Sequence, residues 1–185
     1  QPTRYSWLTA FAGKYMNDWL TISASALATI INEDVKEGGS AGNHRKLTPY
    51  ISASFKPFYH EEFRIRFFYK DIFRLPSFND LYYQEVGNTK LRPENARQYN
   101  VGLTYSKNVC PFLPYLSATI DAYYNKVTDK IIAYPTKNLA VWSMRNLGEV
   151  EIKGIDATGS LSLQPWERIR INLSGNYTYQ QALDI

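Results

Sequence analysis

A chain of 185 residues has the size of one domain, and no run in it approaches the ~20 consecutive apolar residues of a membrane-spanning helix, which excludes a helical membrane protein. The formal net charge of +4 is small, and lysines and arginines alternate with apolar residues instead of clustering, which argues against a nucleic-acid surface. Tyr (15) and Phe (9) are plentiful, and both favour strands.

Enzyme chemistry finds no foothold. Cys110 is the single cysteine, so no internal disulfide or thiolate metal site can form, and it reads as a structural thiol in the turn before Pro111. His44 and His60 each fall in a predicted loop without ligand spacing. There is no Gly-rich phosphate loop and no Gly-x-Ser-x-Gly elbow. No catalytic residue, metal ligand or cofactor is expected.

In chain order, eight strands are predicted. The first covers 5–14, with an alternation too weak to phase, and a polar turn at 15–18 follows. Over 19–31, Leu20, Ile22, Ala24, Ala26, Ala28 and Ile30 share one face; Thr21, Ser23, Ser25 and Thr29 share the other, with Leu27 out of place. Residues 32–46 read as a long loop, because Gly38-Gly39 and Gly42-Asn43 tolerate positive φ. The third strand is 47–56 and the fourth 62–71, joined by a tight connection at 57–61. In the fourth, Phe63, Ile65, Phe67 and Tyr69 oppose Arg64, Arg66 and Lys70, with Phe68 among the polar set.

A long connection over 72–96 leads to the fifth strand, 97–107, where Tyr99, Val101, Leu103 and Tyr105 oppose polar residues. A short turn at 108–114 precedes the sixth strand, 115–127, which sets Leu116, Ala118, Ile120, Ala122 and Tyr124 against Ser117, Thr119, Asp121 and Asn125. Another long connection, 128–148, precedes the seventh strand, 149–164. A tight turn at 165–167 then leads to the eighth, 168–181, with Ile169, Ile171, Leu173, Tyr177 and Tyr179 on one face.

The fold class is therefore all-β, an antiparallel up-and-down meander. Its strands run to about ten residues or more, beyond the ~5–6 usual in soluble proteins and near the ~9–11 that cross a bilayer at a tilt. Connections alternate short and long, as in outer-membrane barrels with tight periplasmic turns and long external loops. Lipid offers nothing to bare N–H and C=O groups, so strands must close into a ring with apolar rows outward and polar rows inward. Tyr99, Tyr105, Tyr124, Tyr177 and Tyr179 lie towards strand ends on the apolar face, where headgroups are expected. A soluble β-sandwich or lipocalin-like barrel shares the two-residue period with its apolar rows turned inward. Strand length and loop asymmetry favour the membrane.

The connection after the fourth strand carries the most distinctive sequence: Phe73-Arg74-Leu75-Pro76, then Leu81-Tyr82, Gly87-Asn88 and Leu91-Arg92-Pro93-Glu94. This order resembles the β-barrel of TonB-dependent outer-membrane receptors. Asn146-Leu147-Gly148 with Lys153-Gly154-Ile155-Asp156, and Asn176-Tyr177-Thr178-Tyr179, are similar to later segments of the same family, although Asp156 stands where Glu is commoner. The resemblance implies a segment of a large, 22-strand transmembrane barrel over residues 1–185, incomplete at both ends. Nothing in the sequence resembles the family's plug domain or its energy-coupling box.

The implied setting is the Gram-negative outer membrane, in contact with its lipid. The implied parent holds a plug domain, couples to the TonB complex and imports a scarce large nutrient such as a siderophore, corrinoid or oligosaccharide. Ligand contacts are expected in the long connections, with Tyr82, Tyr83, Tyr134 and Trp142 as stacking candidates. Phe73, Arg74, Pro76, Leu81, Tyr82, Gly87, Asn88, Leu91, Pro93 and Glu94 are expected to shape the long connection, with Arg74 and Glu94 pairing, or bonding loop backbone, to fold it over the rim. A soluble carbohydrate-binding sheet and a passive porin or adhesin are the alternatives; neither accounts for the ordered Phe-Arg-x-Pro and Leu-x-Pro-Glu segments.

Overall fold

A computed structural model describes residues 2–35, 42–59, 62–83, 86–135 and 142–184. Gly38-Gly39, His60 and residues 36–41, 84–85 and 136–141 lie outside the described residues. The rest forms one antiparallel meander in strict sequence order: β1 (Pro2–Met16), β2 (Leu20–Val35), β3 (His44–Phe55), β4 (Glu62–Arg74), β5 (Glu94–Lys107), β6 (Tyr115–Pro135), β7 (Trp142–Trp166) and β8 (Ile169–Asp184). A five-residue helix, α1 (Phe78–Tyr82), interrupts the β4–β5 connection.

The register sorts side chains into rows of opposite character. Phe55, Ile65, Leu103, Ile120, Ala157 and Tyr177 are successive partners across six strands. One residue away, Ser54, Arg66, Gly102, Asp121, Asp156 and Thr178 are partners likewise. The large members of the apolar row are 37–64% exposed, and Ile22, Ile51, Phe67 and Ile171 are also open. A soluble sandwich would bury that row. Here the buried apolar side chains (Ile31, Leu81, Leu91, Val150) lie where the β4–β5 connection packs on the opposite, inner face.

The register with β2 also phases β1. Tyr5, Trp7, Phe11 and Tyr15 share the outer row with Asn32, Ile30, Ala26 and Ile22 of β2, which leaves Leu8, Ala10 and Ala12 on the inner row. Apolar residues on both faces erase the alternation in the sequence. Leu27 is out of place for the same reason, since it precedes Thr29 and Ile31 on the inner row beneath the connection.

At one end the turns are short. Asn17 organises the first, its Oδ1 accepting the N–H groups of Trp19 (3.2 Å) and Leu20 (2.7 Å). At this end Trp19 meets Phe55 edge-on at 5.8 Å and Phe58 lies 6.0 Å from Phe63. Towards the other end Tyr69, Tyr99 and Tyr124 form a lateral row, with ring centres 5.1 and 6.2 Å apart. Tyr179, opposite Ile155 and thus in register with Phe67, sits one pleat lower. An aromatic boundary that slips through the register is what tilted barrel strands require.

The connections at the tyrosine end differ from expectation. Residues 32–46 and 128–148 read as loops, yet β2 runs to Val35, β3 starts at His44, β6 runs to Pro135 and β7 starts at Trp142. The β6–β7 ladder continues to Pro135↔Trp142, far past Tyr124. Beyond the tyrosine row no solvent requires an apolar face, so these strands lack the period that marks the others. Gly42 does take a positive φ, of 90°.

β3 and β4 pair only from Tyr50↔Lys70 to Phe55↔Ile65. Their ladder stops beside Pro49, which has no N–H to give. Above it the two strands part and leave a seam.

Candidate functional site

The β4–β5 connection is not a loose loop but a strap across the inner face. Ser77 caps α1, its Oγ accepting the Asp80 N–H (3.2 Å) while its own N–H donates to Asp80 Oδ2 (2.9 Å). This reciprocal capping box fixes where the chain turns. Leu81 then points inward, 1% exposed, beside the fully buried Pro76. Gly87 follows where a side chain has no room: a Cβ there would lie 2.6–2.8 Å from the backbone of Tyr83 and Leu81. Tight backbone packing, not left-handed φ, is what this position demands.

On one side the strap is tied to β1 and β2. The Arg4 guanidinium donates to Glu33 Oε2 (2.9 Å from Nε) and twice to the Pro76 carbonyl (3.1 Å each), and it lies 4.7 Å from the Phe78 ring centre. The Tyr82 hydroxyl donates to Glu33 Oε1. The Glu33 side chain is 1% exposed. Its backbone N–H donates to Asn43 Oδ1 (3.1 Å), which ties the start of β3 to the same point.

On the other side the strap is tied to β6 and β7. Asn88 Nδ2 donates to the Met144 carbonyl (2.9 Å), and the Met144 N–H to the Val86 carbonyl (3.0 Å). Asn146 Oδ1 accepts the Arg92 N–H (2.8 Å), and its Nδ2 donates to the carbonyls of Arg92 (2.8 Å) and Asp129 (2.7 Å). Asp129 adopts φ 57°, a left-handed conformation that Asp tolerates, and its carboxylate receives the Arg92 guanidinium. Leu91 is buried between these ties.

Glu94 joins the two ends of the strap. Its Oε2 accepts from Arg74 Nη1 (2.9 Å) and its Oε1 from the Ile131 N–H (2.5 Å). β5 starts at Glu94, so the carboxylate stands in for the strand that β6 lacks above that level. Arg74 is 57% exposed, which limits its half of the bridge to about 1 kcal/mol or less. Accordingly Arg74→Ala should loosen the strap slightly, whereas Glu94→Ala also strands a β6 N–H. Limited proteolysis across 75–93 should be faster in both variants, and much faster in the second.

The proposed stacking residues do not form one cluster. Tyr82 is held by Glu33 and by its ring neighbour Phe78 (6.1 Å). Tyr83 closes α1 and is exposed. Tyr134 and Trp142 stand on β6 and β7, not in loops, and belong to adjacent register pairs (Tyr134↔Ser143, Pro135↔Trp142) that face opposite sides. Tyr134 lies under the Arg145 guanidinium at 5.3 Å. Phe73 approaches His44 across the seam (6.3 Å), and the Pro93 carbonyl accepts from Asn95 (3.3 Å).

Sequence reasoning missed Arg4, Glu33, Ser77, Asp80 and Asp129. Ser77-x-x-Asp80 carried a visible signal in its capping spacing. Arg4 and Glu33 gave none, because their meeting depends on register.

Below the strap the inner wall is polar. Arg66 Nη2 contacts both Asp121 oxygens at 3.0 Å by crossing over Gly102, where a Cβ would sit 2.2 Å from Asp121 Oδ1. Gly102→Val should therefore break this pair. We expect folded receptor yield to fall several-fold, and Asp121→Ala in the same chain to recover part of it by removing the clash.

Exposed apolar rows, an aromatic boundary at each end, short turns opposite long hairpins and a polar inner wall together define a segment of an outer-membrane β-barrel. The family model described as TonB dependent receptor-like, beta-barrel, matches residues 4–185, and the chain belongs to that family. It is 34% identical over 84 residues to the vitamin B12 transporter BtuB of Vibrio vulnificus, covering 45% of this chain and 13% of that protein. It is 31% identical over 94 residues to BtuB of Photobacterium profundum, covering 49% and 14%. Among solved structures it resembles the copper transporter OprC (TM-score 0.71, 14% identity, 97% of this chain and 30% of that one). It also resembles the FrpB iron transporter of Neisseria meningitidis, F5-1 variant (TM-score 0.63, 15% identity, 96% and 26%). These structural likenesses show the fold alone.

The chain thus spans 13–14% of the length of the curated relatives it matches. It is an outer-membrane protein segment, and members of its family are receptors and transporters, not enzymes.

Proposed function

We propose that residues 1–185 form one wall of a TonB-dependent receptor that imports a scarce large nutrient across the outer membrane. The observation that carries this reading is the strap. It covers the inner wall near the outer rim and is fixed at both sides, as suits a lumen that must admit cargo from outside. In the parent, the remaining strands close the barrel, a plug domain occupies the polar lumen and the TonB complex supplies energy. The two BtuB relatives make a corrinoid the first cargo to test; a siderophore or an oligosaccharide follows. Tyr83 on the strap and Trp142 at the start of β7, both exposed, are the side chains we propose to stack on it.

The test is uptake of labelled cyanocobalamin, ferric siderophores and oligosaccharides by cells whose only such receptor is the full-length parent, with and without tonB. Uptake of one class that disappears without tonB is expected. Accumulation that persists without tonB would instead make the barrel a passive pore.

A further inference from the structure

A cavity of about 270 Å³ lies on the inner face across β2, β3 and β4. Ser25, Thr29, Thr48, Tyr50 and Lys70 form its polar lining, and Leu27 and Ile72 contribute apolar surface. Register brings them together. Ser25, Tyr50 and Lys70 are successive partners across the three strands, and Leu27 pairs with Thr48 one pleat above. The parting of β3 and β4 above the Tyr50↔Lys70 pair leaves the room. Thr29 lies two pleats below Glu33 on β2, so the cavity sits beneath the anchor of the strap on β1 and β2.

Most of the polar groups around this space are uncommitted. The Thr48 hydroxyl donates to the Leu27 carbonyl (3.3 Å). The side chains of Ser25, Thr29 and Tyr50 make no hydrogen bond among the described residues, and Lys70 makes no ion pair. Thr29 is only 7% exposed, and a buried polar group without a protein partner calls for one from elsewhere. Nor is the Lys70 charge answered nearby. From β2 to β6 the inner row carries no acidic side chain within one pleat of Lys70. Asp71 lines the cavity at the seam, but it belongs to the outer row and lies 3.7 Å from Arg97. Further along the inner row, Asp121 is taken by Arg66, and Glu94 by Arg74 and the Ile131 N–H.

One uncompensated ammonium, three uncommitted hydroxyls and the Tyr50 ring thus face one space. They complement a sugar ring with a single negative charge: hydroxyls meet hydroxyls, the aromatic ring covers C–H groups and the ammonium meets the charge. The volume falls below the roughly 300–1,000 Å³ of a site for a whole drug-sized ligand, so it suits one ring of a larger molecule. We propose that this cavity is a station for cargo below the rim, binding a singly anionic sugar unit with Lys70 as its counter-charge. This rests on the reading that cargo passes along the inner face. The ribose phosphodiester of a corrinoid and a uronic acid of an oligosaccharide share the required chemistry.

Saturation-transfer NMR on the detergent-purified full-length receptor tests this with methyl glucuronide, neutral methyl glucoside and acetate. Methyl glucuronide should bind the wild type more tightly than either of the others. Its affinity should fall about tenfold in Lys70→Gln, the scale of a lost charge-assisted contact, and recover in part in Lys70→Arg. Tyr50→Phe, which keeps the ring, should lose a few-fold, and Arg170→Gln at the short-turn end should lose nothing. The site is overturned if methyl glucuronide fails to bind, if methyl glucoside or acetate binds as tightly, if Lys70→Gln binds like wild type, or if Arg170→Gln loses as much. Displacement of bound methyl glucuronide by cyanocobalamin would assign the site to a corrinoid, and displacement by oligogalacturonate to an acidic oligosaccharide. Displacement by neither would overturn its role as a station for cargo. These binding results do not depend on transport, so their failure is separable from a failure of tonB-dependent uptake.

Discussion

Glu33→Ala should detach the strap from β1 and β2. The carboxylate is almost wholly enclosed and serves Arg4 and Tyr82 together, so its removal takes the ionic partner from a largely buried guanidinium, which keeps the Pro76 carbonyl and the Phe78 ring, and one acceptor from the Tyr82 hydroxyl. Breaking a buried pair by deleting one member costs about 3–5 kcal/mol. Arg4 is itself 16% exposed on its side chain, which places the expected loss towards the lower end of that range. Two readouts should move together: a lower denaturation midpoint of the full-length receptor, and rapid cleavage within 75–93. The conservative Glu33→Gln keeps the acceptor oxygen and should recover part of the loss. A midpoint unchanged in Glu33→Ala would mean that the strap is held by its β6–β7 ties alone.

Leu103→Arg should be the most damaging single change on the outer face. Leu103 sits mid-strand between Ile65 and Ile120, all three exposed, so the substitution places a cation in hydrocarbon. For arginine at the midplane of a barrel the cost is about 2–4 kcal/mol. Asn100→Arg, on the inner row between Phe68 and Tyr123, should cost far less because that face is wet. The folded fraction of each variant is readable from heat-modifiable gel mobility after refolding into vesicles. If Asn100→Arg were the damaging change and Leu103→Arg the tolerated one, the two faces of the sheet would have to be exchanged.

How far the sequence carried the structure depends on what each stretch faces. Where β4, β5, β6 and β8 have hydrocarbon on one side and water on the other, the two-residue period is plain, and residues such as Phe67, Leu103 and Ile171 could be placed on their row. β1 resisted phasing because Leu8, Ala10 and Ala12 place apolar side chains on the inner row as well as the outer one. The outward extensions of β6 and β7 were invisible because Lys130, Ile131, Ile132 and Ala133 answer to no lipid boundary, so their pairing leaves no period. The order of residues from Phe73 to Glu94 pointed to the right family. The chemistry that holds them lies in partners far away in sequence: Arg4, Glu33, Asp129, Met144 and Asn146. Such partners emerge only from register, which local spacing does not encode.

A crossbeam fastened at both walls makes an archway stiff. With its ends pinned at Glu33 and at Asn146, the β4–β5 segment keeps this arc of the rim from spreading or collapsing as solute passes. Any change of aperture must therefore come from parts that project past the beam, above all the part of the β6–β7 hairpin beyond the Ala133↔Met144 pair. Redesign aimed at altering what enters should start on that hairpin and leave the beam alone.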